Sequence, residues 1–520
     1  MPGEPTSHRA GLRTTADLVL GIDVGTTGVK ALLVDVHTGV TVGRGYCAYP
    51  SQLVSKGGHE QNPLDWWNAA VSAVKQAWGE NAEPAFVRAV GLSGHMHAAV
   101  LVDERDRWVR PAMTWADRRS AAQVRRLREH ESLFLQRCAN PVVEAFTAPK
   151  LAWLAEHEPD SLGRAIRIVQ PKDALRHRLT GTWGTDVTDA RGTLLYDVRR
   201  NQWDADLWRL CGVDSELAPS VDGSADIVAT VTEEAGAQTG LLPGTPVVAG
   251  ASDVACSGLG AGLVRPGTVY VNAGTAAQIL APLDEPIAGS HFVFGRAASE
   301  KYLAMDSVYA AGMSVQWAET LFDERGHRDA AGGSRMDHLA SQDRPGAGGA
   351  VCVPSLLGTS APDHDPLVRG AFVGLTGEHG AASLARAVLE GVAYACAAAV
   401  DHVGRVVGGA EQVRVGGGLA RSSVWVAAIA AVQDVPVERV ADDSSPLGAA
   451  ILAGLGAGAW SDAAEASDVC VATTSVRPPG TGAVRDYRSA RQRYDAAARA
   501  LAVLSHDPSF TTTQDAEEDL

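Results

Sequence analysis

The segment Leu18–Lys30, LVLGIDVGTTGVK, is the main basis for the fold prediction, because in it an apolar strand leads directly into a glycine and threonine turn. A shorter copy of the pattern, VYVNAGT, occurs at Val269–Thr275. In each copy, glycine lets the backbone approach a ligand, and the N–H and hydroxyl groups of the turn can face phosphate oxygens. Either copy alone is typical of an ordinary hairpin. Their recurrence in two halves of similar length predicts two related lobes that hold a phosphate-bearing nucleotide between them.

Length and composition narrow the class of protein. A chain of 520 residues is too long for one compact core and favours two large domains. Hydrophobic residues make up 46% of the chain and charged residues 20%, which is typical of a well-packed globular protein. No apolar run reaches the roughly 20 residues of a membrane-spanning helix, and the polar N-terminus does not resemble a secretory signal. We therefore expect no membrane partner.

Charge and cysteine usage indicate the compartment and exclude one kind of partner. The formal net charge of −16 argues against broad contact with nucleic acid or an anionic membrane surface. The chain has seven cysteines and no Cys-x-x-Cys pair, which fits a reducing compartment and gives no metal-site spacing. We therefore expect a cytoplasmic protein that binds small molecules.

Apolar strands alternate with amphipathic helices along the chain, which predicts an α/β fold. We expect a flexible N-terminal tail at 1–16, a first lobe at 17–262, a second lobe at 263–505 and an acidic flexible tail at 506–520. The two tails are predicted from their polar composition.

Two aspartates follow apolar strands and are candidates for chemistry. Asp23 ends the first strand two residues before the glycine turn, where its carboxylate could hold magnesium beside the phosphates of a nucleotide. The alternative is an aspartate that binds the N–H groups of its own turn. Asp253 closes a strand at a junction with a helix, so it could be the N-cap of that helix or a general base on the floor of a cleft.

Three further segments could contact ligands. His95 and His97 could bind a metal together if the strand continued regularly. The adjoining glycine makes a turn equally compatible with the sequence, and one of the two could then contact a substrate hydroxyl. The segment Trp115–Arg118 could line a pocket for a polyhydroxyl compound or form an ion pair on a surface turn. Gly416–Gly418, after a strand, permits close approach to a base or ribose, although flexible turns also use such glycines.

Together these segments resemble the FGGY carbohydrate kinases, most closely the xylulokinase group of that family. The order and spacing of the matching segments carry the resemblance. They are Gly21–Lys30, Met96–His97, Phe146–Trp153, Asp253, Gly274–Thr275, Ala385–Val392 and Gly416–Gly418.

The resemblance implies two actin-like, ribonuclease-H-like lobes with a cleft between them that takes MgATP and a sugar. By this likeness Asp253 is the catalytic base and also contacts the sugar, and Asp23 is the magnesium-side carboxylate. The implied nucleotide and phosphate contacts are Thr26, Thr27, Lys30, Gly274, Thr275, Gly417 and Gly418. The implied sugar contacts, besides Asp253, are Met96, His97 and Trp115.

The implied activity is transfer of the γ-phosphoryl group of ATP to a primary hydroxyl of a pentulose, with D-xylulose as the leading substrate and D-xylulose 5-phosphate as its product. Positioning and charge neutralisation dominate such a reaction, while a base accepts the proton of the attacking hydroxyl. A gluconate, other ketose or polyol kinase of the same family stays open, as does a non-catalytic actin-like ATP sensor. A homodimer is compatible with the resemblance.

The chain departs from the xylulokinase pattern at several positions. Val254 stands where Asn usually follows the catalytic aspartate, and His95 stands where Gln is common. The stretch Trp115-Ala116-Asp117-x-Arg119 looks more like the gluconokinase branch. Ser383 and Ala145 also differ from the usual motif residues. These departures leave kinase chemistry in place and leave the acceptor open.

Overall fold

The computed structural model describes residues 17–54, 57–79, 87–322, 335–359, 365–507 and 509–510. The predicted tail at 1–16 lies outside the described residues, as do residues 508 and 511–520 of the predicted acidic tail.

The strands are β1 (Leu18–Val24), β2 (Gly28–Asp35), β3 (Thr41–Ala48), β4 (Gln52–Val54), β5 (Gly58–Gln61), β6 (Val87–Gly94), β7 (Val100–Val102), β8 (Ala112–Met113), β9 (Arg167–Val169), β10 (Thr185–Asp186), β11 (Tyr196–Asp197), β12 (Gln202–Trp203), β13 (Val221–Asp222), β14 (Ile227–Thr230), β15 (Pro246–Val248), β16 (Ala251–Ser252), β17 (Thr268–Ala273), β18 (Ala277–Leu283), β19 (Phe292–Gly295), β20 (Tyr302–Val308), β21 (Val351–Val353), β22 (Ala371–Val373), β23 (Gln412–Gly416), β24 (Val437–Val440) and β25 (Thr473–Val476).

The α-helices are α1 (Pro63–Trp78), α2 (Ala121–Leu127), α3 (Glu131–Cys138), α4 (Thr147–His157), α5 (Pro159–Arg164), α6 (Pro171–Thr180), α7 (Val187–Arg191), α8 (Ala205–Leu210), α9 (Glu233–Thr239), α10 (Asp253–Gly260), α11 (Gly312–Phe322), α12 (Arg335–Ser341), α13 (Ala381–Val406), α14 (Ser423–Val432), α15 (Ser444–Gly456), α16 (Ala463–Cys470) and α17 (Thr481–Leu504).

Two seven-stranded sheets share one topology. The first has the order β14-β15-β6-β1-β2-β3, with β16 also beside β6, and the second has the order β19-β20-β18-β17-β23-β24-β25. In the first sheet β1, β2 and β3 form an antiparallel meander, and β6 runs parallel to β1. In the second, β17, β18 and β20 form the meander, and β23 runs parallel to β17. The two halves are therefore structural repeats, as the two strand-and-turn copies predict.

The first strand of the first meander, β1, is buried on both faces, which explains its nearly continuous apolar sequence. Every residue of β1 is buried, and helices cover both sides of a sheet of this kind. The charged Asp23 near the end of β1 is the exception to the apolar run, and it marks the carboxyl edge of the sheet.

Helices α10 and α15 lie between the sheets and join the lobes through close glycine contacts. A Cβ on Gly448 of α15 would lie 2.0 Å from the carbonyl oxygen of Cys256 in α10. A Cβ on Gly21 of β1 would lie 2.0 Å from the carbonyl oxygen of Pro446 in α15. Only glycine tolerates such approaches, so α15, which follows a second-sheet strand, packs directly on the first sheet. The lobe boundary at 262 and 263 stays a prediction.

Helix α13 is long and apolar enough to cross a membrane by length and composition alone, but 78% of its most apolar window is buried inside the protein. It packs against the second sheet and the strand β21. These contacts are those of the core helix of a globular lobe.

Candidate active site

Two hairpin loops occupy equivalent positions in the two sheets. The first joins β1 to β2, and the N–H of Gly25 donates to the carbonyl oxygen of Gly28 at 3.1 Å. The second joins β17 to β18, and the N–H of Gly274 donates to the carbonyl oxygen of Ala276 at 2.9 Å. Both loops follow the first strand of a meander, so they stand at the carboxyl edges of their sheets.

The carbonyl oxygens of the first loop are all bound by protein donors. The Tyr49 hydroxyl donates to the Gly25 oxygen, and the Gln61 side-chain amide donates to the Thr26 oxygen at 2.8 Å. The N–H of Tyr49 donates to the Thr27 oxygen at 3.3 Å. With its carbonyls held this way, the loop leaves its N–H groups for another partner.

The N–H and hydroxyl groups of the first loop are available to a ligand. Within the described part of the chain, no group accepts a hydrogen bond from the N–H of Thr26 or Thr27. The Thr26 hydroxyl accepts one from the indole N–H of Trp115 at 3.0 Å, and Trp115 is 37% exposed. Adjacent backbone N–H groups without an acceptor are the groups with which turns of this kind bind phosphate in other proteins.

The second loop is held in the same manner by the start of α11. The N–H of Gly312 donates to the Gly274 oxygen and the N–H of Met313 to the Thr275 oxygen, each at 3.0 Å. A Cβ on Gly312 would lie 2.4 Å from the Gly274 oxygen, so this contact requires glycine. The repeat therefore extends from the strands to the way the loop carbonyls are engaged.

The glycine run after β23 borders open space beside the second loop. Gly417 has a φ of 79°, and a Cβ there would lie 2.6 Å from the carbonyl oxygen of Ala273. A Cβ on Gly418 would meet no heavy atom within 4 Å. Gly417 is thus required by the backbone, whereas Gly418 faces a space that a flat ligand could occupy.

Asp23 is a buried carboxylate at the edge of the first sheet. It accepts a hydrogen bond from the Ser93 hydroxyl at 2.7 Å, and Lys30 faces it across the β1–β2 ladder. Lys30 also forms an ion pair with Asp443 at 3.4 Å. Burial raises the pKa of Asp23, while the Ser93 hydrogen bond and the charge of Lys30 oppose that rise.

Asp253 lies on the same edge. The register pairs Ser93 with both Asp23 and Ala251, so β1, β6 and β16 end side by side. Ser252 is the N-cap of α10, so the alternative that Asp253 is the cap is wrong. Burial, aided by the negative charge of Asp23, raises the pKa of Asp253 from its ordinary 3.8 to about 7.

The Asp253 carboxylate is oriented by a backbone donor. The N–H of Val254 donates to it at 2.9 Å, and the nearby backbone N–H groups of Val254 and Met96 oppose the rise of its pKa. One turn further along α10, Ser257 accepts from the Asn272 side-chain amide at 3.2 Å, and Asn272 precedes the second loop by two residues. Helix α10 therefore connects Asp253 to the second sheet.

The tautomer of His97 follows from its partner. The His97 Nδ1 atom lies 2.5 Å from the Gly192 carbonyl oxygen, and an oxygen of this kind only accepts. Burial lowers the pKa of His97 to about 3, so the ring is neutral, with its proton on Nδ1. Its ring packs against Phe146 and Phe294 at centroid distances of 4.5 and 5.6 Å. The Nε2 atom is therefore a hydrogen-bond acceptor.

The remaining candidates are His95 and the segment that contains Trp115 and Asp117. The His95 ring packs edge-on against Trp66 at 5.6 Å, and burial lowers the pKa of His95 to about 3. Asp117 is buried, binds the guanidinium of Arg119 and accepts from the N–H of His59 at 2.9 Å. Asp117 therefore supports the local fold, whereas both ring nitrogens of His95 are buried with no hydrogen-bond partner among the described residues. Trp115 borders the first loop through Thr26.

No preformed multi-ligand metal site exists in the described residues, where no three His, Cys, Asp or Glu side chains cluster suitably. Magnesium needs only one or two protein carboxylates when phosphates and water complete its shell. Asp23 is a carboxylate of this kind. A nearby cation would also offset the cost of burying its negative charge.

Sequence reasoning missed the residues that shape the first loop. Tyr49 and Gln61 lie 24 and 35 residues beyond their carbonyl partners. Gly192 sets the His97 tautomer from 95 residues away. Such contacts leave no periodic or motif signal. Only Ser93 offered a local cue, because it directly ends an apolar strand.

Comparison with known proteins identifies the family. The model of the FGGY family of carbohydrate kinases, N-terminal domain, matches residues 18–260, and the model of its C-terminal domain matches residues 269–457. The xylulose kinase of Escherichia coli (strain K12) is 32% identical over 85% of this chain and 90% of its own length. The gluconokinase of Bacillus subtilis (strain 168) is 27% identical over 91% of this chain and 93% of its own length.

A solved structure extends the comparison. The crystal structure of a xyloylose kinase from Brucella ovis has a TM-score of 0.82 and 30% identity, and the match covers 94% of this chain and all of the other. This match and the two repeated sheets confirm the predicted α/β fold with two actin-like lobes. The chain therefore belongs to the FGGY family of carbohydrate kinases and is an ATP-dependent sugar kinase.

Proposed function

We propose that this kinase phosphorylates a primary hydroxyl of a pentulose, with D-xylulose as the leading acceptor and D-xylulose 5-phosphate as the product. One observation carries the proposal: Asp23 and Asp253 stand at the same carboxyl edge of the first sheet, where β1, β6 and β16 end side by side. Phosphoryl transfer to an alcohol needs a base for the hydroxyl and a way to neutralise phosphate charge. The relatives named xylulose kinase support the choice of acceptor.

Asp253 acts as the general base in this proposal. A pKa of about 7 leaves much of the carboxylate ionised at neutral pH and makes it basic enough to take a hydroxyl proton. The proton moves to the carboxylate, the hydroxyl oxygen bonds to the γ-phosphorus, and the bond from that phosphorus to the bridging oxygen of ADP breaks. The N–H of Val254 keeps the carboxylate aimed at the acceptor.

The two loops bind the phosphates. The free N–H groups of Thr26 and Thr27, with the Thr26 hydroxyl, take one side of the triphosphate, and Gly274 and Thr275 take the other. Lys30, half-exposed beside Asp23, adds positive charge. Because the carbonyl oxygens of both loops are already bound, they do not repel the phosphate oxygens.

Asp23 is the residue that would hold Mg²⁺, directly or through water. Its burial leaves the ionised carboxylate poorly solvated, which favours a nearby cation. A bound Mg²⁺ supplies charge neutralisation on the phosphate oxygens during transfer. Gly417 and Gly418 flank the adenosine, since Gly418 borders open space beside the second loop.

The acceptor sugar contacts Met96, His97 and Trp115 besides Asp253. The unprotonated Nε2 of His97 accepts a hydrogen bond from a sugar hydroxyl. Gluconate is the second candidate acceptor, favoured by the Trp115 stretch and by the gluconokinase relative. Another ketose or a polyol fits the same base and phosphate groups.

An ATP-consumption screen over pentuloses, hexuloses, polyols and aldonates tests the proposal. We expect D-xylulose to give the highest kcat/KM, and Asp253→Asn to lower its turnover by at least about 100-fold. Asp206→Asn, on the exposed face of α8, is the matched control and should keep parent turnover. Near-parent turnover by Asp253→Asn would remove Asp253 from the role of base. ATP binding without turnover of any acceptor would favour the alternative of a non-catalytic, actin-like ATP sensor.

We also propose a cytoplasmic location, lobes at 17–262 and 263–505, and a homodimer. All seven cysteines are free thiols in the structure, which fits a reducing compartment. Fractionation and light scattering on the purified chain would test the location and the assembly.

A further inference from the structure

The short helix α7 lies between the Asp253 turn and the second sheet. Thr188 on this helix is fully buried, and its hydroxyl oxygen accepts a hydrogen bond from the N–H of Ser252 at 2.9 Å. Ser252 directly precedes Asp253 and caps α10. A side chain far from Asp253 in sequence therefore holds the peptide group next to it.

Asp186 fixes the orientation of the Thr188 hydroxyl group. The Thr188 hydroxyl donates to an oxygen of the Asp186 carboxylate at 2.8 Å, and the Ser252 N–H can only donate to Thr188. The single hydroxyl proton of Thr188 is thus committed to Asp186, and its lone pair is presented to the Ser252 N–H. Both side chains are sealed from water.

Asp186 is itself held by several donors. The Ser224 hydroxyl and the N–H of Thr188 each donate to it at 2.8 Å. The Lys172 ammonium lies 3.1 Å from its other oxygen. A carboxylate bound this way cannot rotate without breaking several charge-assisted bonds, so it is a rigid support for Thr188.

The same helix touches the sugar side and the second lobe. The residue after α7, Gly192, provides the carbonyl oxygen that orients His97. On the other side, a Cβ on Gly295 of β19 would lie 3.1 Å from the Thr188 Cα atom. Helix α7 therefore contacts the Asp253 turn, His97 and the second sheet, and it can fix their positions relative to one another.

We propose that Thr188, oriented by Asp186, is a positioning residue that aims Asp253 at the acceptor hydroxyl through Ser252. This inference rests on the proposed function, in which Asp253 is the base. Thr188 does not touch the substrate, and it acts by fixing the turn that carries the carboxylate. A small misplacement of a catalytic group costs up to about 100-fold in rate.

The test compares Thr188→Val with Thr188→Ser. Valine keeps the shape and removes the hydroxyl, so kcat for the best acceptor should fall about 10- to 100-fold while KM for MgATP stays within about twofold. Serine restores the hydroxyl and should recover most of kcat. Thr239→Val is the matched control, because this buried hydroxyl in α9 also accepts from a backbone N–H while it donates its own proton, here to the Ala235 carbonyl oxygen.

A double variant separates this inference from the proposed function. If Thr188 acts through Asp253, Thr188→Val should slow Asp253→Asn by less than about twofold. Multiplicative losses in the double variant would overturn the inference and leave Asp253 as the base. Parent-like turnover of Asp253→Asn alone would instead overturn the proposed function.

Folding is checked by thermal melting and by a second hydroxyl-free variant, Thr188→Ala. The inference is overturned if neither variant lowers kcat by more than about threefold at a temperature where both are folded. It is equally overturned if Thr188→Ser is as slow as Thr188→Val, because the hydroxyl would then be irrelevant.

Discussion

Replacement of Asp253 by Asn should stabilise the unliganded protein at alkaline pH, although it removes the proposed base. The carboxylate is ionised above pH 7 in a buried turn beside a second carboxylate, Asp23. Ionisation there is unfavourable relative to the unfolded chain, in which water solvates the charge. A neutral amide of the same shape avoids this penalty.

The size and the sign of the effect follow from the pKa values. Between pH 3.8 and about 7 the native protein holds a proton on Asp253 that the unfolded chain has lost. Native stability therefore falls as pH rises through this window, by about 1.4 kcal/mol per pH unit. The total is at most about 4 kcal/mol, because water that enters the cleft screens part of the charge.

The assay is thermal unfolding of the parent and Asp253→Asn from pH 4 to pH 8, without ATP or magnesium. We expect the melting temperature of the variant minus that of the parent to increase steadily with pH and to be largest at pH 8. Asp206→Asn is the control for the loss of one carboxylate, because Asp206 is exposed on α8, where it pairs with Arg209. If the melting-temperature difference for Asp253→Asn stays flat or falls as pH rises, the Asp253 carboxylate is not buried beside the charge of Asp23.

Four further outcomes are expected. The kcat/KM of the parent should fall about tenfold per pH unit below about pH 7, because only ionised Asp253 accepts the proton; a pH profile without this acid limb would contradict the base. Gly417→Ala should lower the melting temperature, because a Cβ there meets the backbone of Ala273. Gly418→Val should leave the melting temperature unchanged and raise KM for ATP at least about fivefold, because it fills open space. The reverse pattern would show that adenosine does not bind beside Gly418. Gln61→Leu should raise KM for ATP about fivefold, because a carbonyl of the first loop loses its donor; an unchanged KM would disprove that role. Val254→Asn should change the ranking of acceptors in the screen by at least about tenfold, and an unchanged ranking would show that this position does not select the sugar.

The fold could be predicted from local sequence patterns. The strand and glycine turn at Leu18–Lys30 and its copy at Val269–Thr275 predict two related lobes, and the two sheets confirm that duplication. Each pattern is local, so a single sequence displays it. The packing of α15 on the first sheet was not accessible, because it depends on glycines far apart in the chain, Gly21 and Gly448, that carry no joint signal.

The candidate site could be predicted from the sequence only in part. Asp23 and Asp253 could be selected because each follows an apolar strand, and parallel strands end on one edge. The groups that tune them could not be selected, since burial, the Ser93 hydroxyl and the charge coupling arise only when distant segments meet. The support of the Asp253 turn by Thr188 is of the same kind.

We propose that Asp253 and Asp23 serve one reaction in a cleft between the two repeated lobes. A crystal structure of the protein with a non-hydrolysable MgATP analogue and D-xylulose measures this directly. We predict a carboxylate oxygen of Asp253 within roughly 2.6–3.2 Å of the primary hydroxyl of the sugar, with that hydroxyl directed at the γ-phosphate and the metal beside Asp23. A sugar hydroxyl bound elsewhere, with no contact to Asp253, would contradict the account.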